Sequence, residues 1–312
     1  MSNGMPAINL NGILPPVTTP FNEGGDVDYG ALASNIARYN ETGLRGYVPL
    51  GSNGEAVHLT VDERSHVVET VKRAALSEHT IVAGVNEFST RAAISAARAA
   101  ADCGADAVLV ITPYFYKGSM TQERLFLYFS EVADQSPVPV LIYNVPQNTG
   151  VVIESATIAA LGAHQNIIGA KDSAGNMGTL SETIRLVPEG FAVMVGNGGI
   201  VYPALTMGAT GAILGVACAA PRACVELYEA AKAGNTLRAR ELQNRIAPLS
   251  HIVTAGLSVP GLKAAMEILG LAGCFPRAPL SLVSSSDKEK IAAVIRKTGL
   301  FPEMEGSVKR EA

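Results

Sequence analysis

The chain has 312 residues, 48% of them hydrophobic, which is enough for one large core or two ordinary ones and too much for a disordered protein. Its formal net charge is −4, from 24 basic and 28 acidic side chains, with no run of Lys or Arg and no Trp. A polyanion finds nothing to grip, so the balance points away from nucleic acid as a partner.

The N-terminal stretch MSNGMPAINLNG lacks the basic start and apolar core of a secretory signal and has no arginine for a transit peptide, so the mature protein is expected to begin here. Cys103, Cys218, Cys224 and Cys274 are widely spaced without any C-x-x-C. That fits neither a disulfide framework nor a zinc site, and the four are read as buried small apolar groups in a reducing, cytoplasmic compartment.

In chain order, GILPPVTTP near Gly12 is the first strand-like run and, with three prolines, the weakest. A helical pattern from Asp28 to Thr42 stops at Gly43, and GYVPL follows from Gly46. Thr60-Val61-Asp62-Glu63 is a capping box opening a helix towards Leu76. TIVAGV from Thr80 leads to a helix from Ser89 to Cys103, ended by Gly104. DAVLVI from Asp106, VPVLIY from Val138, NIIGAK from Asn166, FAVMVG from Phe191 and GAILGV from Gly211 complete the runs, with helical patterns starting near Thr121, Glu154, Met177 and Ile200. The uncharged segment from Phe191 to Pro221 is long enough to span a bilayer, but Gly-Asn-Gly-Gly and an internal proline interrupt it. It reads as two buried strands around a short helix, and no membrane partner is expected.

Eight continuous apolar runs alternating with helices predict parallel strands covered on their outer face, and the count favours a closed (β/α)8 TIM barrel over an open sheet. After Pro221 the pattern is helical only: Arg222 to Ala233, Asn235 to Thr254, Pro260 to Leu269 and Asp287 to Lys297. The expected organisation is a barrel core over residues 1–220, the last barrel helix with a helical C-terminal extension over 221–302, and a solvated tail over 303–312.

In such barrels the working groups stand at the carboxyl ends of the strands. Lys171 closes the sixth run, IIGAK, and Tyr143 the fifth; Gly51-Ser52-Asn53-Gly54-Glu55 follows the second, and Gly196-Asn197-Gly198-Gly199 the seventh. A strand-end lysine whose burial disfavours its charged form can attack a ketone and form a Schiff base, an electron sink for breaking a carbon–carbon bond. The bland alternative is a lysine whose stem packs on the rim while its ammonium reaches water. A nearby phenol can shuttle protons at an imine carbon, and the GSNGE loop offers backbone N–H groups, a hydroxyl and an amide for a carboxylate. Tyr143 as ordinary packing and GSNGE as a tight turn are the competing readings. A ketone beside a carboxylate is a 2-oxo acid, of which pyruvate is the smallest common one.

PPVTTPF (Pro15 to Phe21), GSNGE (Gly51 to Glu55), VITPYFYKG (Val110 to Gly118), YNVPQNTG (Tyr143 to Gly150), IIGAKDSAGN (Ile167 to Asn176) and GATGAILGVA (Gly208 to Ala217) resemble, in order and spacing, the dihydrodipicolinate synthase and N-acetylneuraminate lyase superfamily of lysine-dependent pyruvate aldolases. The resemblance runs from about Gly12 to about Phe301. It implies a TIM barrel, a homotetramer built from dimers, and no metal or organic cofactor. It implies Lys171 as the Schiff-base lysine, Tyr143 as the catalytic phenol and Ser52 as the hydroxyl that links the phenol to its relay. It further implies that the backbone at Ser52 and Asn53 holds the pyruvate carboxylate and that Gly196 and Ile213 line the pyruvate pocket. No histidine among His58, His66, His79, His164 and His251 has metal-ligand spacing.

Two positions depart from the synthase pattern. Asn148 stands where synthases place an arginine for a second carboxyl-bearing substrate, and Phe115 where they use a tyrosine reaching across the dimer. The set GSNGE, VPxNTG, KDS, PGLK (Pro260 to Lys263) and RAPL (Arg277 to Leu280) is most similar to 4-hydroxy-2-oxoglutarate aldolases, in which positions matching Asn53 and Ser173 contribute to the site. Ser173 is equally an N-cap for the following helix. The expected reaction is class I aldol cleavage of a 4-hydroxy-2-oxo acid to pyruvate and an aldehyde such as glyoxylate. The alternatives are a 2-keto-3-deoxy sugar-acid aldolase or dehydratase, dihydrodipicolinate synthase, and a non-catalytic barrel that binds pyruvate, or a phosphorylated ligand on the Gly196 to Gly199 loop.

Overall fold

The computed structural model describes residues 8–301. Eight strands, β1 (Ile13–Leu14), β2 (Gly46–Tyr47), β3 (Thr80–Val85), β4 (Ala107–Ile111), β5 (Val140–Asn144), β6 (Ile167–Asp172), β7 (Ala192–Val195) and β8 (Gly211–Ile213), pair in parallel in the order β1-β8-β7-β6-β5-β4-β3-β2. The ring is closed between β1 and β2 by backbone bonds from Arg45 N–H to Ile13 O (2.9 Å) and from Val48 N–H to Pro15 O (3.0 Å). The result is the predicted TIM barrel. The prolines shorten β1 to two residues, and Pro49, which has no N–H to donate, follows closely on β2. The segment from Phe191 to Pro221 forms β7, a short helix and β8. Among the described residues no helix is long and apolar enough to cross a membrane.

Strand residues alternate between two cores, which is why the runs are apolar throughout. Leu109, Ile111, Leu141, Tyr143, Met194 and Ile213 fill the barrel, whereas Val108, Val110, Val140, Ile142, Ala170 and Val193 pack outward under the helices. The helices are α1 (Tyr29–Tyr39), α2 (Val61–Ala74), α3 (Thr90–Asp102), α4 (Gln122–Gln135), α5 (Pro146–Thr149), α6 (Ser155–Leu161), α7 (Met177–Leu186), α8 (Val201–Thr206), α9 (Pro221–Lys232), α10 (Thr236–Ser250), α11 (Ser258–Ile268) and α12 (Ser285–Thr298). Side-chain caps at Asp28, Ser89, Thr121, Asn176 and Asn235 set their starts, and Thr60 and Glu63 form the reciprocal capping box.

Three expectations are corrected. The first helix ends at Tyr39, where the Thr42 hydroxyl donates to Tyr39 O and closes the turn (2.6 Å). The helix expected to run to Thr254 ends at Ser250 and passes into a π-helical turn, His251–Gly256. Pro248 inside α10 supplies no N–H, and the Thr254 hydroxyl donates to Ser250 O (2.6 Å), which loosens the ladder there. Of the four cysteines, all free, Cys218 and Cys224 are buried as expected but Cys103 and Cys274 are only half-buried. The expected tail, 303–312, lies outside the described residues.

Candidate active site

The register of β5 against β6 sets Tyr143 directly beside Lys171. Because neighbouring Ala170 packs outward, the two-residue period turns Lys171 into the barrel mouth. Its Nζ lies 4.1 Å from the centre of the Tyr143 ring, and both residues are only 5% exposed. The rim alternative, an ammonium reaching water, is therefore not what the fold builds. Burial alone would raise the Tyr143 phenol. The Lys171 charge and the hydrogen-bonding side chains of Ser52, Ser173 and Lys171 outweigh burial and hold it below its ordinary value of 10.0. A phenol so lowered, this close to an amine, is chemically able to exchange a proton with a group held beside it.

The loop after β2 is strained at both ends. Leu50 (φ 58°) and Glu55 (φ 52°) are non-glycine residues in the left-handed region, flanking a 3₁₀ turn at Ser52–Gly54. The turn spends the Gly54 N–H on Gly51 O (3.0 Å) and the Glu55 N–H on Ser52 O (3.2 Å). The Ser52 and Asn53 N–H groups have no partner among the described residues, which leaves two donors that an anion could use. Asn86 Nδ2 donates to Leu50 O (2.7 Å) and the Thr19 hydroxyl to Gly54 O (2.6 Å), pinning the turn against the barrel end.

All eight residues singled out from the sequence, Lys171, Tyr143, Ser52, Asn53, Asn148, Ser173, Gly196 and Ile213, line one cavity of about 490 Å³ at the carboxyl ends of the strands. Gly196 is required by close approach: a Cβ there would overlap Ser173 Oγ and stand 3.0 Å from Lys171 Cε. Phe115 does not line this cavity. Lys171 is the one charged side chain among the lining residues described.

Pro16, Gln147, Asn197, Gly215, Thr254 and Ser258 also line the cavity and were not singled out from the sequence. Gln147 and Asn197 sit beside named positions, so reading one residue further along each strand-end loop would have found them. Thr254 and Ser258 come from the helical extension, and only packing brings them over the barrel mouth. A further supporting pair is Asn144 and Asp172, the residues following Tyr143 and Lys171. Asn144 Nδ2 donates to Asp172 Oδ2 (2.7 Å), and Asp172 Oδ1 accepts the Ala174 N–H (3.0 Å). Burial raises the Asp172 carboxyl against the opposing pull of these donors. The pair ties the two strand ends together. A phosphate seat at Gly196 to Gly199 finds two donors already spent, because Gly196 N–H donates to Asp172 O (2.6 Å) and Gly199 N–H to Asn197 Oδ1 (2.8 Å).

The family described as the dihydrodipicolinate synthetase family matches residues 9–298. A 4-hydroxy-tetrahydrodipicolinate synthase from Methanothrix thermoacetophila is 37% identical over 289 residues, covering 92% of this chain and 97% of the relative. The crystal structure of a dihydrodipicolinate synthase from Acinetobacter baumannii, complexed with pyruvate, superposes with a TM-score of 0.89 at 31% identity, covering 94% of this chain and 100% of that one. A dihydrodipicolinate synthase variant characterised as monomeric superposes with a TM-score of 0.90 at 27% identity, covering 95% and 100%.

Proposed function

We propose that this chain, which belongs to the dihydrodipicolinate synthetase family and is a pyruvate-dependent class I aldolase, cleaves a 4-hydroxy-2-oxo acid to pyruvate and an aldehyde. 4-Hydroxy-2-oxoglutarate, which yields glyoxylate, is the substrate its motifs favour. The Lys171 amine adds to the 2-keto carbon, and water leaves as the iminium forms. The substrate carboxylate rests on the Ser52 and Asn53 N–H groups. The Tyr143 phenolate, supported by the Ser52 and Ser173 side chains, takes the C4 hydroxyl proton. The C3–C4 bond then breaks, its electron pair forms the enamine, and the aldehyde departs. Protonation at C3 and hydrolysis of the imine release pyruvate and restore the amine. Gly196 and Ile213 shape the pocket around the pyruvate half.

The observation that carries this reading is the buried Lys171 and Tyr143 pair, set by strand register inside a cavity whose wall has the uncharged Asn148, which the motif resemblance matches to an arginine of the synthases. The second reading, a 4-hydroxy-tetrahydrodipicolinate synthase, is favoured by the names of the relatives. Incubation with pyruvate and borohydride, followed by mass measurement, tests the chemistry: one covalent adduct is expected on the Lys171 peptide, and an adduct that survives Lys171→Arg overturns the assignment. Rates for cleavage of 4-hydroxy-2-oxoglutarate, for cleavage of a 2-keto-3-deoxy sugar acid and for the synthase condensation decide the substrate, with the first expected to be fastest.

The assembly we infer is the homotetramer built from dimers. Its support is the aromatic group Phe88, Tyr114, Phe115 and Tyr116, whose neighbouring rings lie 5.0–6.3 Å apart while Phe115 and Tyr116 remain 71% and 73% exposed. A lone chain gains little from leaving such a surface in water.

A further inference from the structure

Lys263 lies outside the cavity and touches none of the reacting groups, yet it is 1% exposed and carries a full set of partners. Its Nζ stands 2.6 Å from Glu55 Oε1, 2.8 Å from Thr19 O and 2.7 Å from Phe275 O. The Phe21 ring stacks against both Lys263 Nζ (4.5 Å to the ring centre) and the Arg277 guanidinium (4.4 Å). The Arg277 backbone N–H donates to the other oxygen of Glu55 (3.0 Å), and His58 Nδ1 lies 3.2 Å from it. Glu55 is the left-handed residue that ends the Ser52–Gly54 turn. Its side chain is thus gripped by two pieces of the helical extension at the point where its backbone is least comfortable.

An apolar pair of similar volume stabilises a buried site at least as well as an ion pair does, because both charges must leave water. The feature an apolar pair cannot reproduce here is a hold on Glu55 from two sides, a charge contact from Lys263 on one oxygen and a hydrogen bond from the Arg277 N–H on the other. Thr19, which supplies one acceptor to Lys263, also donates to Gly54 O, so the same ammonium braces the turn through two routes. We propose that Lys263 is a positioning residue for the reaction: through Glu55 and Thr19 it holds the Ser52 and Asn53 N–H groups where the oxo-acid carboxylate must land. The helical extension, attached to the far side of this pair, thereby sets the affinity of the pyruvate half of the site.

The inference rests on the reading that Ser52 and Asn53 receive the carboxylate, so the parent enzyme is measured first. Borohydride trapping is titrated with pyruvate, well below the melting temperature, in the parent, Lys263→Met and Glu55→Gln. Lys263→Met strands a buried carboxylate, and should it fail to fold, Glu55→Gln carries the same test with nearly unchanged shape. The expected result is a rise of roughly tenfold or more in the pyruvate concentration for half-trapping, as for a binding group moved by a fraction of an ångström, with the end point still one adduct per chain. A variant that melts lower but traps pyruvate at the parent's half-saturation overturns the proposal and leaves Lys263 a structural residue. A parent that forms no adduct sinks the functional reading itself, which keeps the two failures apart.

Discussion

Gly196→Ala tests the site with a single methyl group. No unusual φ accompanies Gly196, so the backbone accepts alanine and the effect is steric. The new Cβ would overlap Ser173 Oγ and press on Lys171 Cε at 3.0 Å. The serine hydroxyl is the softer neighbour and rotates away, which removes one of the groups that hold the Tyr143 phenol below its ordinary value. A hydrogen bond to a charged group is worth about 1.5–3 kcal/mol. At about 1.4 kcal/mol per decade, kcat/KM should fall roughly ten- to a hundredfold. Gly198→Ala is the control: its Cβ would crowd Ser250 and Val216 instead, and Gly198 does not line the cavity. Overpacking there should cost about 1–3 kcal/mol of stability while pyruvate trapping stays at the parent rate. Steady-state rates and thermal melts on both variants give the comparison. An alanine at position 196 that leaves kcat/KM untouched would refute the placement of the chemistry between Lys171, Ser173 and Tyr143.

Two further outcomes follow from the electrostatics. In the proposed cleavage Tyr143 must be deprotonated to take the C4 hydroxyl proton, so activity should rise with pH through its titration; Ser52→Ala removes a donor that favours the phenolate and should move that limb to higher pH in a kcat/KM profile. Glu63 is held down to about 2 from its ordinary 4.5, chiefly by hydrogen bonding to Arg277. Its two oxygens receive Arg277 Nη2 (2.6 Å) and Nη1 (2.8 Å). The folded carboxyl is the stronger acid, so its contribution to stability is complete above about pH 4.5 and is lost as pH falls towards 2. Glu63→Gln should therefore flatten the acid limb of a melting-temperature profile in that window, and an unchanged limb would show that the pair contributes nothing.

The barrel and the residues that line its mouth were legible in the sequence because each depends on near neighbours along the chain. Continuous apolar runs mark strands buried on both faces, caps such as Thr60 with Glu63 mark helix starts, and Lys171 and Tyr143 declare themselves as the polar residues closing apolar runs. Asp172 and Asn144 stand next to those residues, but their pairing needs the register between β5 and β6, which no single run contains. The far wall from Thr254 to Val259 was hidden for a related reason. Pro248 and the Thr254 back-bond turn an expected helix into a π-helical turn, and only the docking of the extension lays it over the mouth. Lys263 and Arg277 read in sequence as members of short motifs without a task. Their meaning comes from Glu55, a residue more than two hundred positions earlier, and a contact of that span exists only once the whole barrel has closed.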